Sequence, residues 1–207
     1  MTDKKIIFIA ILLAILVIGG GWYYAKNQPQ EAAISQPQGS GAPTESGISF
    51  GNPNAPVVME EYTNFLCPAC ARFATETFGQ IKDNYIASGK VRMVFYIFPP
   101  LELSRAALCS EEQGKFLEYH DYVFAHQSQI TDENVLKDFA VNAGLDGQKF
   151  STCYASDKYK DKIQKWLDEG QARGVDSTPT FFINGQKFIG AQPYSEFQKL
   201  IDEKLNQ

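Results

Sequence analysis

The chain has 207 residues, of which 44% are hydrophobic and 21% are charged, a composition that suits one globular domain with its own apolar core. The formal net charge is −5, and the chain beyond residue 5 carries −6, because Asp3, Lys4 and Lys5 together contribute +1. That acidic balance argues against nucleic-acid binding, which requires a basic surface for phosphate contacts.

The first segment of the chain is a predicted membrane anchor. Residues 6–25, IIFIAILLAILVIGGGWYYA, contain no charge, and about 20 residues of helix match the hydrocarbon core of a bilayer. Two lysines precede the segment and a Trp-Tyr-Tyr run lies near its end, so we expect the basic end in the cytoplasm and the remaining chain outside the cell membrane. A cleaved signal peptide is the alternative, but bulky rings occupy the place of a small-x-small cleavage site. We therefore expect an uncleaved, single-pass signal anchor at residues 1–25.

Residues 26–47, KNQPQEAAISQPQGSGAPTESG, form a predicted disordered linker. They are rich in Gln, Pro, Ser and Gly and contain almost no large apolar side chains, so they cannot offset the entropy that is lost on ordering. The folded domain is expected at residues 48–207.

The first part of that domain has a β-α-β pattern. The run PVVMEEYTNF is typical of a buried strand. Apolar residues then recur at helical spacing, at Ala74, Phe78, Ile81 and Tyr85, and Gly89 is placed to end that helix. The run VRMVFYIF is a second predicted strand, and a Pro-Pro pair stops it.

Residues 101–173 have a wholly helical pattern. They contain three apolar stripes, with Gly144 and Gly174 as helix stops and Thr131 as a predicted N-cap. His120 lies on one of these stripes, so we expect a core residue rather than a catalytic one.

The chain then returns to strands. The runs TFFIN and QKFIG meet at Asn184-Gly185, a strong signal for a two-residue hairpin, and a last apolar stripe predicts a C-terminal helix. The predicted order is therefore β-α-β, an all-helical insertion at about 101–173, and β-β-α.

The motif CPAC at residues 67–70 is the main chemical feature of the chain. If Cys67 is the N-cap of a helix, Pro68 falls at the first helical position, where its missing N–H is no loss. The backbone N–H groups of Ala69 and Cys70 then point at the Cys67 sulfur, and they favour its thiolate together with the helix dipole. Because the thiolate attacks disulfides and leaves from them, Cys67 is the predicted nucleophile and Cys70 the more buried resolving thiol.

Two other interpretations of this motif are weaker. A zinc ribbon needs a second close pair of ligands, whereas Cys109 and Cys153 are isolated cysteines. A structural disulfide across one helical turn has poor geometry. The chain has only two histidines and no carboxylate cluster beside them, so we expect no metal site and no small-molecule cofactor.

Two stretches carry a family resemblance. GNPNAPVVMEEYTNFLCPACARF, followed about a hundred residues later by GVDSTPTFFINGQKFIG, resembles the DsbA-like branch of the thioredoxin superfamily, the thiol–disulfide oxidoreductases of the bacterial cell envelope. The resemblance runs from about Ile48 to the C-terminus. It implies an α/β, thioredoxin-like fold with an inserted all-helical domain, preceded in this chain by the N-terminal transmembrane helix.

The resemblance also implies roles for individual residues. Cys67 corresponds to the exposed nucleophile and Cys70 to its buried partner. Thr178-Pro179 matches the cis-proline loop beside the active-site sulfurs, where the backbone of Thr178 could pair with an extended substrate.

Glu61 resembles the partly buried acid that many family members keep beneath the cysteines. Such a carboxyl has a raised pKa and could carry a proton to or from Cys70. The alternative is a strand-end charge that reaches water. The neighbouring Glu60 should point to the other face of the strand, so only one of the two acids can serve.

Some family members link two helices of the insertion by a disulfide, which the resemblance implies for Cys109 and Cys153; an oxidising compartment permits such a bond. Two buried free thiols are the alternative, and neither cysteine has the surroundings of a second catalytic pair. The strongest oxidants of the family often carry histidine at the position of Ala69, so we expect a weaker oxidant here.

The implied function is the introduction of disulfides into exported proteins. Reduced exported proteins would be the substrates, and a membrane thiol oxidase of the DsbB or VKOR type would be the redox partner of a monomeric, membrane-anchored enzyme. A reductase or isomerase on the same scaffold is an alternative, because its residues would be the same. A non-catalytic binding module is another.

Overall fold

The structure is a computed structural model that describes residues 46–207. The predicted membrane helix at residues 1–25, and all of the predicted linker apart from Ser46 and Gly47, lie outside the described residues. The carbonyl oxygen of Ser46 accepts a hydrogen bond from Trp166 Nε1 at 2.9 Å. The folded part of the chain therefore includes two residues that the sequence assigned to the linker.

One mixed sheet of five strands forms the centre of the fold. The strands are β1 (Ile48–Gly51), β2 (Val57–Thr63), β3 (Val91–Ile97), β4 (Thr180–Ile183) and β5 (Gln186–Ile189). They lie in the order β1-β3-β2-β4-β5; β2 and β3 are parallel, and the other neighbours are antiparallel. Nearly every side chain of β2 and β3 is buried, because helices cover both faces of the sheet.

The sequence pattern predicts no strand at β1. The segment is only the four residues ISFG, which is too short for a periodic apolar pattern, and Ile48 is its one buried residue. Its strand conformation comes from antiparallel pairing with β3, where Ile48 lies opposite Phe95. A strand that is specified by its partner leaves little signal in its own residues.

The predicted helices are present in the described part of the chain. Helix α1 spans residues 68–86, in the consecutive turns Pro68–Arg72, Phe73–Phe78, Gly79–Ile81 and Lys82–Ile86, of which the second and fourth are π-helical. The others are α2 (Leu101–Glu111), α3 (Phe116–Ala125), α4 (Glu133–Asn142), α5 (Gly147–Tyr154), α6 (Lys160–Ala172) and α7 (Tyr194–Leu205), with a 3₁₀ turn at Gln127–Gln129. Helices α2 to α6 all lie between β3 and β4 and form the inserted helical region. Within residues 46–207, no helix has both the length and the apolar character that crossing a bilayer requires.

The ends of the helices agree with the sequence except at one N-cap. The N-cap of α4 is Asp132 rather than Thr131, because Asp132 Oδ1 accepts the backbone N–H of Asn134 at 2.8 Å. A carboxylate at this position also interacts favourably with the helix dipole, and the Thr131 hydroxyl instead donates to Asp132. The predicted stops are confirmed, since Gly144 and Gly174 follow α4 and α6 with φ of 83° and 69°.

The predicted hairpin between β4 and β5 is confirmed. Asn184 and Gly185 form its two-residue turn with φ of 45° and 82°, as a tight turn between twisted strands requires. The Asn184 side chain also accepts the N–H of Val58 at 2.8 Å and donates to the carbonyl of Pro56 at 3.1 Å. The turn is therefore held against the start of β2.

Different helices cover the two faces of the sheet. On one face, α1 and α7 pack against β4 through the rings of Phe73, Phe181 and Phe197, whose centroids lie 4.6 to 5.2 Å apart. On the opposite face, α6 approaches β2 at Gly170, where a side-chain carbon would lie only 3.0 Å from the Tyr62 ring. Glycine therefore permits the close contact between this helix and the sheet.

His120 on α3 is a core residue, as predicted. It is fully buried among five rings, those of Phe65, Phe78, Phe95, Phe116 and Phe124. These rings come from α1, β3, α3 and the segment before α1, so the cluster joins the insertion to the sheet. Burial of this much aromatic surface is a major source of stability at the junction.

A disulfide joins Cys109 on α2 to Cys153 on α5. The two Cα atoms are 5.7 Å apart, and the residues are separated by 44 positions in the sequence. The bond therefore closes a long loop that contains α3 and α4.

We expect the double substitution Cys109→Ala/Cys153→Ala to lower the free energy of unfolding by about 3 to 4 kcal/mol, because the unfolded chain regains the entropy of an open loop. Urea unfolding without reductant measures the difference from the wild-type protein. With reductant, the two proteins should converge. Equal stabilities without reductant would show that the bond contributes nothing.

Candidate active site

Cys67 stands at the N-terminus of α1, as the CPAC motif predicts. Its φ and ψ are −86° and 119°, which is extended backbone, and Pro68 is the first helical residue. The carbonyl oxygen of Cys67 accepts the N–H of Ala71 at 3.1 Å, which is the first hydrogen bond of the helix. Cys67 is therefore the N-cap, and the free N–H groups of the first turn lie beside its side chain.

The pKa of the Cys67 thiol is lowered. Burial opposes ionisation of this partly exposed side chain, but it is outweighed by contacts with Thr178 and Cys70 and by the backbone N–H groups of Cys70 and Ala69. These N–H groups act without a strictly aligned hydrogen bond to the sulfur. The helix start thus favours the thiolate, the nucleophilic form of cysteine.

Thr178 and Pro179 lie beside the same sulfur. The peptide bond between them is cis, and Pro179 is buried. Cys67 Sγ donates to the carbonyl oxygen of Thr178 at 3.2 Å, although the two residues are 111 positions apart in the sequence. The N–H of Gly190 donates to the carbonyl of Pro179 at 2.8 Å and ties this loop to the end of β5.

Cys70 differs from Cys67 in its surroundings. Its side chain is fully buried. Burial, and then the negative charge of Glu61, raise the pKa of Cys70 to about 12. The pair therefore combines a thiol whose ionisation is favoured with one that stays protonated at neutral pH.

Glu61 is fully buried on β2, opposite Phe95 of β3 and Phe181 of β4. Neither of its carboxylate oxygens has a hydrogen-bond partner among residues 46–207. Burial raises its pKa to about 8; the nearby Thr63 hydroxyl offsets part of this effect without forming a hydrogen bond of good geometry. Glu61 is therefore a carboxyl held largely neutral beside the cysteines, and the alternative of a strand-end charge in water is wrong.

Glu60 points to the opposite face of the sheet, as predicted. Its two oxygens accept hydrogen bonds from Arg173 at 2.7 and 2.8 Å, and the guanidinium lies 3.7 Å from the centroid of the Phe182 ring. The pair is buried but fully matched in charge. Glu60 therefore anchors the end of α6, and of the two neighbouring acids only Glu61 faces the cysteines.

Two further residues hold the active-site loop, and the sequence analysis named neither. Gln127 Nε2 donates to the carbonyl oxygens of Phe65 and Cys67 at 2.7 and 3.0 Å. Asn64 Oδ1 accepts the N–H of Leu66 at 2.7 Å, and the Asn64 carbonyl accepts the N–H of Cys67 at 3.0 Å. The turn at Asn64 could be predicted from the sequence, because Asn favours turns that its side chain caps. Gln127 lies in a polar stretch that contains no pattern pointing to the contact with Cys67.

The remaining cysteines are not part of this site. Cys109 and Cys153 bond to each other, while Cys67 and Cys70 are free thiols. Nowhere in residues 46–207 do three or more His, Cys, Asp or Glu side chains gather as metal ligands.

The chain is similar to proteins with a thioredoxin fold, in sequence and in structure. A family model described as thioredoxin matches residues 43–203. A probable disulfide bond formation protein D of Bacillus anthracis is 27% identical over 170 residues, which are 76% of this chain and 77% of that protein. The crystal structure of oxidised BdbD from Bacillus subtilis has a TM-score of 0.70 at 23% identity and covers 81% of this chain and 97% of its own. Wolbachia pipientis alpha-DsbA1 also has a TM-score of 0.70, at 26% identity, with 79% and 93% covered.

We expect Glu61→Gln to change how stability depends on pH. In the wild-type protein Glu61 stays protonated up to about pH 8 when folded, but it ionises near pH 4.3 when unfolded. Between these values folding takes up a proton, so wild-type stability falls with rising pH, by about 1.4 kcal/mol per pH unit, relative to the variant.

Urea unfolding from pH 4 to pH 9 measures this difference, in a Cys67→Ser/Cys70→Ser background that removes thiol titration from both proteins. From the low to the high end of this range, the free energy of unfolding of the variant should rise by a few kcal/mol relative to that of the wild-type protein. The buried amide of the variant changes its stability by the same amount at every pH, so it does not affect this trend. A difference that does not change with pH would contradict a buried, neutral Glu61.

We expect Gln127→Met to raise the pKa of Cys67 by about 0.5 to 1 unit. Methionine keeps the length of the side chain but cannot bind the carbonyls of Phe65 and Cys67, so the sulfur is held less firmly beside the helix start. The rate of alkylation by iodoacetamide as a function of pH measures that pKa. Gln129→Met, in the exposed part of the same turn, is the matched control. An unchanged pKa in a folded Gln127→Met protein would show that the amide only joins the insertion to the loop.

Proposed function

The chain belongs to the thioredoxin family, and from that premise we propose that it is a protein disulfide oxidoreductase that introduces disulfide bonds into exported proteins through Cys67 and Cys70. The observation that carries this proposal is the difference between the two thiols: the pKa of Cys67 is lowered at the helix start, whereas burial raises the pKa of Cys70 to about 12. An exchange site needs one accessible sulfur that ionises and one protected sulfur that does not.

The reaction starts from the Cys67–Cys70 disulfide. A substrate thiolate attacks Cys67 Sγ, the bond between the two sulfurs breaks, and Cys70 leaves as a thiolate that takes up a proton. A second substrate thiolate then attacks the substrate sulfur of the mixed disulfide, and Cys67 leaves as a thiolate. The substrate loses two electrons, and the protein gains them as one thiolate and one thiol.

Each neighbouring group has a role in these steps. The lowered pKa of Cys67 makes it a better leaving group in the second step and stabilises the reduced protein, which favours oxidation of the substrate. Glu61, largely protonated at pH 7, is the acid that protonates the departing Cys70. Thr178, beside Cys67 Sγ, offers its backbone to an extended substrate chain.

The oxidising direction agrees with the names of relatives. The Bacillus anthracis protein is a probable disulfide bond formation protein, and a Rickettsia bellii relative, 27% identical over 177 residues, is a putative protein-disulfide oxidoreductase. At the centre of the motif, Ala69 provides no charged or hydrogen-bonding side chain for the thiolate. We therefore place this protein below the strongest oxidants of the family.

We propose that the enzyme acts outside the cytoplasm, on a membrane tether. The uncharged residues 6–25 support a signal anchor, and the Gln-, Pro-, Ser- and Gly-rich composition of residues 26–45 supports a linker before the folded domain. The disulfide between Cys109 and Cys153 supports an oxidising compartment. A monomer re-oxidised by a membrane thiol oxidase of the DsbB or VKOR type completes this proposal.

Two measurements test the function. We expect the oxidised protein to oxidise a reduced two-cysteine peptide, with a reduction potential between those of thioredoxin, about −270 mV, and DsbA, about −120 mV. Cys67→Ser should reduce the rate to background. Cys70→Ser should instead accumulate covalent adducts with exported proteins, because no internal thiol resolves them.

The alternatives give different results. A potential near −270 mV without peptide oxidation would indicate a reductase, and alkylation trapping would then find Cys67 and Cys70 mostly reduced in the cell. A binding module would keep its function in the Cys67→Ser variant.

A further inference from the structure

The hydroxyl of Thr63 is a buried polar group without a partner. Thr63 ends β2 and is fully buried. Its carbonyl oxygen accepts the N–H of Phe98 at 2.7 Å, so the backbone is satisfied, but Oγ1 forms no hydrogen bond within residues 46–207. Such a group destabilises a protein, and an unpaired hydroxyl in a core therefore calls for a functional explanation.

Two groups near this hydroxyl exchange protons in the proposed reaction. Glu61 lies two residues earlier on the same strand and therefore on the same face of the sheet. Cys70 lies in the first turn of α1, the helix that packs on that face through Phe73 and Phe181. The Thr63 hydroxyl lowers the pKa of both groups, so it interacts with both.

Glu61 and Cys70 themselves are not directly connected. Neither carboxylate oxygen of Glu61 forms a hydrogen bond to the Cys70 thiol or to any other group in the described part of the chain. A general acid needs its proton within hydrogen-bond reach of the acceptor, either directly or through one intermediate group. A hydroxyl suits that place, because it donates one hydrogen bond and accepts others at the same time, and it rotates freely.

We propose that the Thr63 hydroxyl relays the proton between the Glu61 carboxyl and the Cys70 sulfur. This inference rests on the proposed exchange reaction and adds a catalytic residue to it. This role accounts for the unpaired hydroxyl: Oγ1 forms no hydrogen bond in the resting state and forms them when charge develops on Cys70.

In this relay one proton moves from Glu61 to Thr63 while another moves from Thr63 to Cys70. When a thiolate opens the Cys67–Cys70 disulfide, Cys70 leaves with a negative charge and takes the hydroxyl proton of Thr63. Thr63 takes the proton of the Glu61 carboxyl in the same step, so the hydroxyl is restored and Glu61 is left as a carboxylate. In the reverse direction Glu61 removes the proton of Cys70 through the same hydroxyl.

The test compares Thr63→Val with Thr63→Ser. Valine keeps the shape of threonine without the hydroxyl, and serine keeps the hydroxyl without the methyl group. Oxidised protein is mixed with reduced glutathione, and acid-quenched samples give the rate at which the Cys67–Cys70 disulfide opens. Thr77→Val, which removes a buried α1 hydroxyl that donates to the carbonyl of Gln192 and not to Glu61 or Cys70, is the matched control.

We expect Thr63→Val to open its disulfide on the order of 100-fold more slowly than the wild-type protein, at the lower end of the contribution of general acid–base catalysis. Thr63→Ser should open its disulfide at close to the wild-type rate. The wild-type reaction should be slower in D₂O than in H₂O, and this solvent isotope effect should be absent in Thr63→Val. The urea midpoint of Thr63→Val should equal or exceed that of the wild-type protein, because an unsatisfied hydroxyl has been removed.

The relay would be overturned if folded Thr63→Val opened its disulfide as fast as wild type, or if Thr63→Ser were as slow as Thr63→Val. A Thr63→Val protein that is both slower and less stable would point to a packing role and would also overturn it. Failure of the proposed function is a separate result, since it would appear as wild-type protein that reacts with glutathione but leaves the two-cysteine peptide reduced.

Discussion

The Cys67 sulfur lies against the first turn of α1, and the N–H groups that begin this helix stabilise its negative charge. The other elements of the site depend on that arrangement. If Cys67 were one residue further into the helix, its sulfur would point away from these donors, and Cys67 would lose their contribution to its lowered pKa. Pro68 at the first helical position makes the start of the helix well defined, because proline cannot continue a helix on its N-terminal side.

The scaffold holds this helix start from three directions. The loop from β2 reaches it through Asn64, the cis-proline loop approaches it through Thr178, and the helical insertion contacts it through Gln127. Thr178 and Gln127 are distant from Cys67 in the sequence, so the geometry at Cys67 depends on the docking of the cis-proline loop and of the insertion onto the sheet. The aromatic cluster around His120 makes that docking tight. The insertion therefore contributes to the candidate active site through Gln127 and does not only cover the sheet.

Two neighbouring acids on β2 lie on opposite faces of the sheet and have different roles. The charge of Glu60 is neutralised by Arg173 on one face, so it stabilises the junction with α6. Glu61 faces the cysteines, has no partner in the described residues and has a pKa raised to about 8. Leaving a buried carboxyl unpaired lowers stability, and proteins tolerate such groups mainly where a reaction uses them. The strand period of two residues makes both environments possible at adjacent positions.

The sequence by itself determined the local features. The strands β2 and β3, the hairpin at Asn184-Gly185, the helix stops and the N-cap position of Cys67 all follow from short-range patterns, because turns, caps and apolar periodicity act over a few residues. Tertiary structure alone decided the rest. The strand β1, the contact of Gln127 with the Cys67 carbonyl and the neutral state of Glu61 arise where distant segments meet, and no pattern in one segment records which neighbours will remove water from it or share its hydrogen bonds.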